Sequence, residues 1–161
     1  MKKLMLCAVS VLAMFTLVAC GVVTPEEPAN NKHKDSTKVV KDDTVKNQEV
    51  KLTKKVRGTE LTVEHIKQTI IKKKKHLELQ FSLTNHSSTD QGVGANDFRI
   101  EADDSKTYRI DGTKVNFGDV IAPHETLTGS AYFVIPEKTK SINVVYQPEE
   151  KMEAAWKINL E

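Results

Sequence analysis

Four consecutive lysines, Lys72-Lys73-Lys74-Lys75, followed by His76, are the densest charge in the sequence. Ammonium groups in a row are chemistry for an anion: a lipid phosphate, a wall polyanion or nucleic acid. Their setting points first to something plainer. Ile70-Ile71 precede the run, an alternating segment starts at Leu77, and no aromatic residue interleaves. A solvated hairpin loop is therefore the expected role, and polyanion contact through Lys72, Lys73, Lys74 and Lys75 is the competing one. The histidines, His33, His65, His76, His86 and His124, show no His-x-His or His-x-x-x-His spacing, so no metal is expected. Asp103, Asp104, Asp111 and Asp119 lack the regular oxygen-ligand alternation of a calcium loop and read as acidic turns. Serines and histidines occur without a nucleophile elbow, and Gly92-Val93-Gly94 is too short for a phosphate loop. The chain is thus expected to be no enzyme, with no catalytic residue and no cofactor.

The other chemical candidate is a cysteine. The chain has two, Cys7 and Cys20. Met1-Lys2-Lys3 is a positive start, Leu4 to Ala19 carries no charge, and Leu17-Val18-Ala19-Cys20 closes the segment. A positive start, an apolar middle and small terminal residues mark a secretory signal peptide, expected over residues 1–19. The last four residues resemble a bacterial lipobox. That resemblance implies cleavage before Cys20 and diacylglycerol on its sulfur. The membrane is then a partner through the acyl chains on Cys20, each buried CH₂ contributing about 0.8 kcal/mol. With Cys7 in the leader, the mature chain has one thiol and no internal disulfide. The implied location is the outer face of the cytoplasmic membrane, with the remainder extracellular.

Composition changes once the leader is set aside. Lys+Arg 24 against Asp+Glu 22 becomes 22 against 22 without Lys2 and Lys3. That balance argues against nucleic acid, and the single apolar stretch excludes a multi-span membrane protein. Gly21 to Arg57 has two prolines and no aromatic residue. It buries too little apolar surface to offset ordering entropy, so residues 20–57 are read as a lipidated cysteine and flexible tether. Such a coil spans on the order of 35 Å. Valines at 39, 40, 45, 50 and 56 leave open an added edge strand, with a boundary near 49 instead of 58.

From residue 58 the dominant period is two. Leu77, Leu79, Phe81 and Leu83 alternate with Glu78, Gln80, Ser82 and Thr84, which puts one apolar and one polar face on a strand. Six further segments start or alternate likewise: Leu61-Val63, Phe98-Ala102, Tyr108-Ile110, Leu127-Ile135, Ile142-Tyr146 and Ala154-Leu160. About seven short strands with turn residues between them predict an all-β, immunoglobulin-like antiparallel β-sandwich over residues 58–161. Trp156 is the expected core anchor.

Three stretches then resemble the telokin-like, immunoglobulin-like domains of unknown function found on lipoproteins of Gram-positive bacteria, related in fold to a mycobacterial immunoprotective secreted protein. They are Leu79-Gln80-Phe81-Ser82-Leu83-Thr84-Asn85-His86-Ser87, then Asp97-Phe98-Arg99-Ile100 through Lys106-Thr107-Tyr108, and Ile121-Ala122-Pro123-His124-Glu125-Thr126 with Gly129, Phe133 and Pro136. Ser105 and His124 stand where that pattern has turn glycines. The resemblance implies a fold and brings no catalytic residues. The expected function is a non-catalytic, lipid-anchored binding or envelope-supporting module with an envelope macromolecule or protein as partner. A carrier of a small molecule or ion, and an inhibitor of another secreted protein, are the alternatives.

Overall fold

The computed structural model describes residues 44–161. The leader, Cys20 and the tether up to residue 43 lie outside the described residues. Ten strands follow: β1 (Val45–Val56), β2 (Thr59–Ile71), β3 (Lys74–Asn85), β4 (Gln91–Gly94), β5 (Phe98–Ala102), β6 (Thr107–Tyr108), β7 (Gly118–Ile121), β8 (Thr126–Pro136), β9 (Ser141–Tyr146) and β10 (Ala154–Asn159). A 3₁₀ turn at Ala95–Asp97 leads into β5. The first sheet has the order β1-β2-β3-β8 and the second β10-β9-β5-β6, while β4 and β7 form a separate ribbon. All of these pairs are antiparallel, as alternation on single strands requires when one face packs and the other meets water.

All seven expected strands are present, as β2, β3, β5, β6, β8, β9 and β10; β1, β4 and β7 are additional. The largest correction falls on residues 45–56, read above as tether. They form β1, paired with β2 from Val45↔Thr69 to Val56↔Thr59. Its pattern escapes a period-two reading because the register shifts between Glu49 and Leu52, with Lys51 left-handed at φ 47. Only Val50 and Val56 of β1 pack against the core. Lys46, Lys51, Lys54 and Lys55 along this outer strand, together with the bulge, oppose pairing with another chain's edge.

The core lies between the two sheets. Leu77, Leu79, Phe81 and Leu83 of β3 are buried, with Ala131, Phe133 and Ile135 of β8 beside them. They face Phe98 and Ile100 of β5, Ile142 and Val144 of β9, and Trp156 and Ile158 of β10. Phe98 is the hub of an aromatic cluster, with ring centroids 4.5 Å from Phe81, 5.0 Å from Tyr146 and 6.4 Å from Trp156. In β2 the inward residues switch from Leu61 and Val63 to Ile66 and Gln68. A bulge between Val63 and His65 causes it: one unpaired residue turns the strand over and reverses its parity.

The turns carry strain where the sequence lacks glycine. Ser105 and His124 sit at φ 61 and φ 64. Lys72 and Lys73, at φ 49 and φ 62, occupy the two-residue link between β2 and β3, where positive φ at both positions matches the twist of the flanking strands. Left-handed backbone costs a non-glycine residue about 1 kcal/mol or more.

At the opposite end from that link, Arg57 pairs with Glu149 at 3.3 Å and with Glu153, joining the β1–β2 turn to the segment between β9 and β10. Tyr146 nearby is 7 % exposed. Burial, then the charges of Asp97 and Glu153, push its phenol up from 10.0 to about 12. The folded state therefore holds this proton more tightly than the unfolded chain. Its contribution to stability is complete below pH 10 and is lost as pH rises through 12. Denaturant titrations at the two pH values should show wild type losing about 2 kcal/mol more than Tyr146→Phe. Equal losses in the two proteins would remove Tyr146 from the alkaline transition.

Candidate functional site

The outward face of the first sheet is built by the residues that alternate with its core positions. Because β1, β2, β3 and β8 are adjacent, cross-strand pairing lines these residues up in rows. Asn47 pairs with Lys67, Lys67 with Glu78, and Glu78 with Tyr132, so one row crosses all four strands. The next row is Glu49, His65, Gln80 and Ser130. Two hollows lie along these rows. One, of about 360 Å³, is lined by Asn47, His65, Lys67, Glu78 and Gln80. The other, of about 160 Å³, is lined by Lys67, His76, Glu78, Tyr132 and, from the segment before β7, Asp111 and Lys114. Lys67 and Glu78 border both hollows and make them one trough.

Glu78 is the organising group. Its Oε1 accepts from Ser130 Oγ at 3.1 Å and from Tyr132 OH at 3.2 Å. Burial, followed by the Glu78 charge, raises the Tyr132 phenol above its ordinary value. Both hydroxyls are thereby held as donors to the carboxylate.

The segment holding Asp111 and Lys114 is stitched onto the free edge of β8. Asp111 N donates to Tyr132 O, Phe117 N to Ser130 O at 3.0 Å, and Tyr132 N to Asn116 Oδ1 at 2.9 Å. Asn116 Nδ2 returns a bond to Asp111 O at 2.9 Å. Hydrogen bonds from Thr113 Oγ1 and from its backbone N–H hold the Asp111 carboxyl below its usual range. Phe117 fastens the far end of the segment by packing against Phe81, ring centroids 5.6 Å apart. It lies over Gly129, where the absence of a side chain is required: a Cβ there would fall on Phe117, with its Cγ 3.0 Å away.

The lysine run is divided. Lys72 and Lys73 form the exposed turn, as expected of a hairpin, but Lys74 and Lys75 belong to β3. Lys75 is 7 % exposed and its Nζ donates to Thr139 O at 2.8 Å. Four adjacent lysines therefore do not make one cationic surface, and Lys75 is withdrawn from any polyanion contact. Parity is the reason. Counting back by two from Leu77 lands on Lys75, and strand geometry turns it inward whatever its charge.

His65 and His76 reach the trough; His86 instead lies 3.6 Å from Glu60. His124 occupies the strained turn before β8, and His33 lies outside the described residues. Asp103 Oδ2 accepts from the backbone N–H of Lys140 at 2.8 Å and so ties its turn to the start of β9, and Asp104 accepts from Tyr108 OH at 2.7 Å within its own hairpin. Among the described residues no group of three His, Cys, Asp or Glu side chains is placed to hold a metal ion. None of their helices is long and apolar enough to cross a membrane. Sequence reasoning missed Lys67, Glu78, Gln80 and Tyr132 as a group. Each is an ordinary polar alternate on its own strand, and only the registers bring them together.

Solved structures share this architecture at low identity. A Bacillus subtilis protein, ycdA, described as a putative lipoprotein, matches with a TM-score of 0.57 and 14 % identity over 69 % of this chain. The match spans 39 % of ycdA's own length. The yjhA protein of Bacillus subtilis matches with a TM-score of 0.52 and 16 % identity, covering 68 % of this chain and 96 % of its own. A protein of Listeria monocytogenes gives 0.51 and 12 %, covering 73 % and 87 %. At such identities the likeness concerns the β-sandwich fold. No curated protein matches the chain. The family described as Domain of unknown function (DUF4352) matches residues 34–157, well over half of the sequence, and the chain belongs to that family.

Proposed function

We propose that the protein is a lipid-anchored, non-catalytic binding module of the cell surface, and that the trough on its first sheet takes an uncharged, hydroxyl-rich polymer of the envelope. The trough itself carries the reading. It crosses four strands, and it sets ammonium and carboxylate groups beside amides, imidazoles and a phenol on a floor that includes the apolar Ile66, Leu77 and Phe133. Such a surface offers donors and acceptors in alternation to hydroxyl groups, without the one-signed field that selects a polyion. Acylation of Cys20 would hold the domain against the outer face of the membrane. The lipobox-like Leu17-Val18-Ala19-Cys20 and the description of ycdA support that half. The finer likeness to telokin-like domains is supported by the left-handed turns at Ser105 and His124, where that pattern has glycine.

The test is co-sedimentation of the full chain, in detergent, with insoluble wall glycan stripped of charged polymers. Wild type should pellet with it in low salt and in about 0.5 M salt alike, because the polymer carries no charge for salt to screen from Lys67 and Glu78. The double variant Lys67→Ala/Glu78→Gln should lose at least tenfold in affinity. Retention unchanged by that variant, or abolished by salt together with Lys72→Ala/Lys73→Ala/Lys74→Ala, would transfer the function to the lysine turn. In the same cells, Cys20→Ser should move the protein from the membrane fraction to the medium. Equal membrane retention of both proteins would refute the anchor.

A further inference from the structure

The inner side of β2 and β3 carries a second set of polar groups, at the end of the sandwich beside the Lys72-Lys73 turn. Gln68 is 2 % exposed, and among the described residues neither its Nε2 nor its Oε1 has a hydrogen-bond partner. Lys75, buried beside it, spends one N–H on Thr139 O and makes no ion pair within 4.0 Å among the described residues. A buried ammonium without a counter-ion and a buried carboxamide without partners are both costly in a folded chain. They line one cavity of about 220 Å³ with Ile70 on its wall and Lys46, Glu137 and Glu161 beside them. At about 30 Å³ per water, this is room for roughly seven waters or a ligand of similar heavy-atom count.

The unmet groups define what would fit. Lys75 Nζ and Gln68 Nε2 have N–H groups to give, which a carboxylate accepts. Gln68 Oε1 has lone pairs to give, which calls for a donor on the same small molecule. Glu137 and Glu161 on the same wall favour a ligand that carries a positive or donating group besides its carboxylate, while Lys46 adds to the field that holds the carboxylate. We propose that this cavity is a binding site for a small α-amino or α-hydroxy acid, its carboxylate on Lys75 and Gln68 Nε2 and its α-substituent donating to Gln68 Oε1. Burial, followed by the Lys46 charge, lowers the Lys75 pKa against the opposing charges of Asp103 and Glu137, so the nearby carboxylates compensate the ammonium only in part. The site opens to solvent at the end of the sandwich, where Lys46, Glu137 and Glu161 are exposed, and it stands whether or not the outer trough binds a polymer.

The experiment follows the Gln68 side-chain amide of the full chain by ¹⁵N NMR during separate titrations with alanine, lactate, acetate and inorganic phosphate. Alanine and lactate should shift that resonance saturably. Acetate, which has no α-donor, should bind at least tenfold more weakly, and phosphate should not compete. Lys75→Met should weaken alanine binding at least tenfold, measured by calorimetry. Gln68→Glu, which keeps the side chain's size and gives Lys75 an internal counter-ion, should abolish it while the Trp156 fluorescence of the folded protein is retained. The proposal fails if water alone occupies the cavity, so that none of the four probes moves the Gln68 amide. It fails equally if phosphate matches alanine, or if Lys75→Met binds alanine within twofold of wild type.

Discussion

Trp156→Ala should lower the unfolding free energy by about 3–5 kcal/mol, the range for truncating a large buried aromatic side chain. Trp156 is 3 % exposed and stands on β10 between Ala154 and Ile158, both buried, with its ring next to Phe98. Alanine would leave a void that β10, the outer strand of its sheet, can only partly close. Small domains are stable by about 5–15 kcal/mol in total, so the variant would retain a fraction of that and melt roughly 10–20 °C lower. Trp156→Phe is the informative companion. The indole Nε1 is buried without a partner among the described residues, so phenylalanine loses volume but also removes an orphaned donor. Its cost should be less than half that of alanine. Thermal and urea unfolding followed by circular dichroism would measure both, since Trp156 is the only tryptophan and its fluorescence disappears with it. A loss below about 1 kcal/mol for Trp156→Ala would contradict its place in the core.

What could be read from the sequence followed the strength of its periodicity. The four large residues from Leu77 to Leu83 fix β3 unaided, and β8 and β9 are nearly as clear. β1 was illegible for two physical reasons. It is an outer strand whose two faces are both largely polar, and its bulge at Lys51 breaks the period in the middle. The bulge at Glu64 likewise breaks the alternation of β2, so that no continuous period places Gln68 on its inner face. Lys75 is the instructive case. Its parity with Leu77 places it on the inner face, whereas four adjacent lysines have the composition of a charged loop, and strand geometry prevails over charge. The outer trough was beyond sequence reach, because Lys67, Glu78 and Tyr132 meet through two registers that no local pattern specifies.

Gly129→Val joins the fold to the trough, and its effect should appear in both. Gly129 lies on β8 opposite Phe81, and the space a side chain would need is filled by Phe117. Valine must displace that ring from Phe81 and Phe98, whose centroids lie 5.6 Å and 6.0 Å away. Overpacking of this kind costs about 1–3 kcal/mol, and losing the aromatic contacts brings the expected total to about 3 kcal/mol. The ring also anchors the segment from Asp111 to Phe117 along β8, so Asp111 and Lys114 should leave the smaller hollow, and polymer retention should fall with stability. A double-mutant cycle separates this mechanism from a general loss of strand structure. Phe117→Ala removes the obstacle, so adding it to Gly129→Val should cost far less than it does in wild type, with a coupling energy of at least 1 kcal/mol. Simple additivity of the two losses would mean that valine destabilises β8 by some route other than Phe117. The glycine then matters because a neighbouring ring occupies its side-chain space, and its own backbone freedom is incidental.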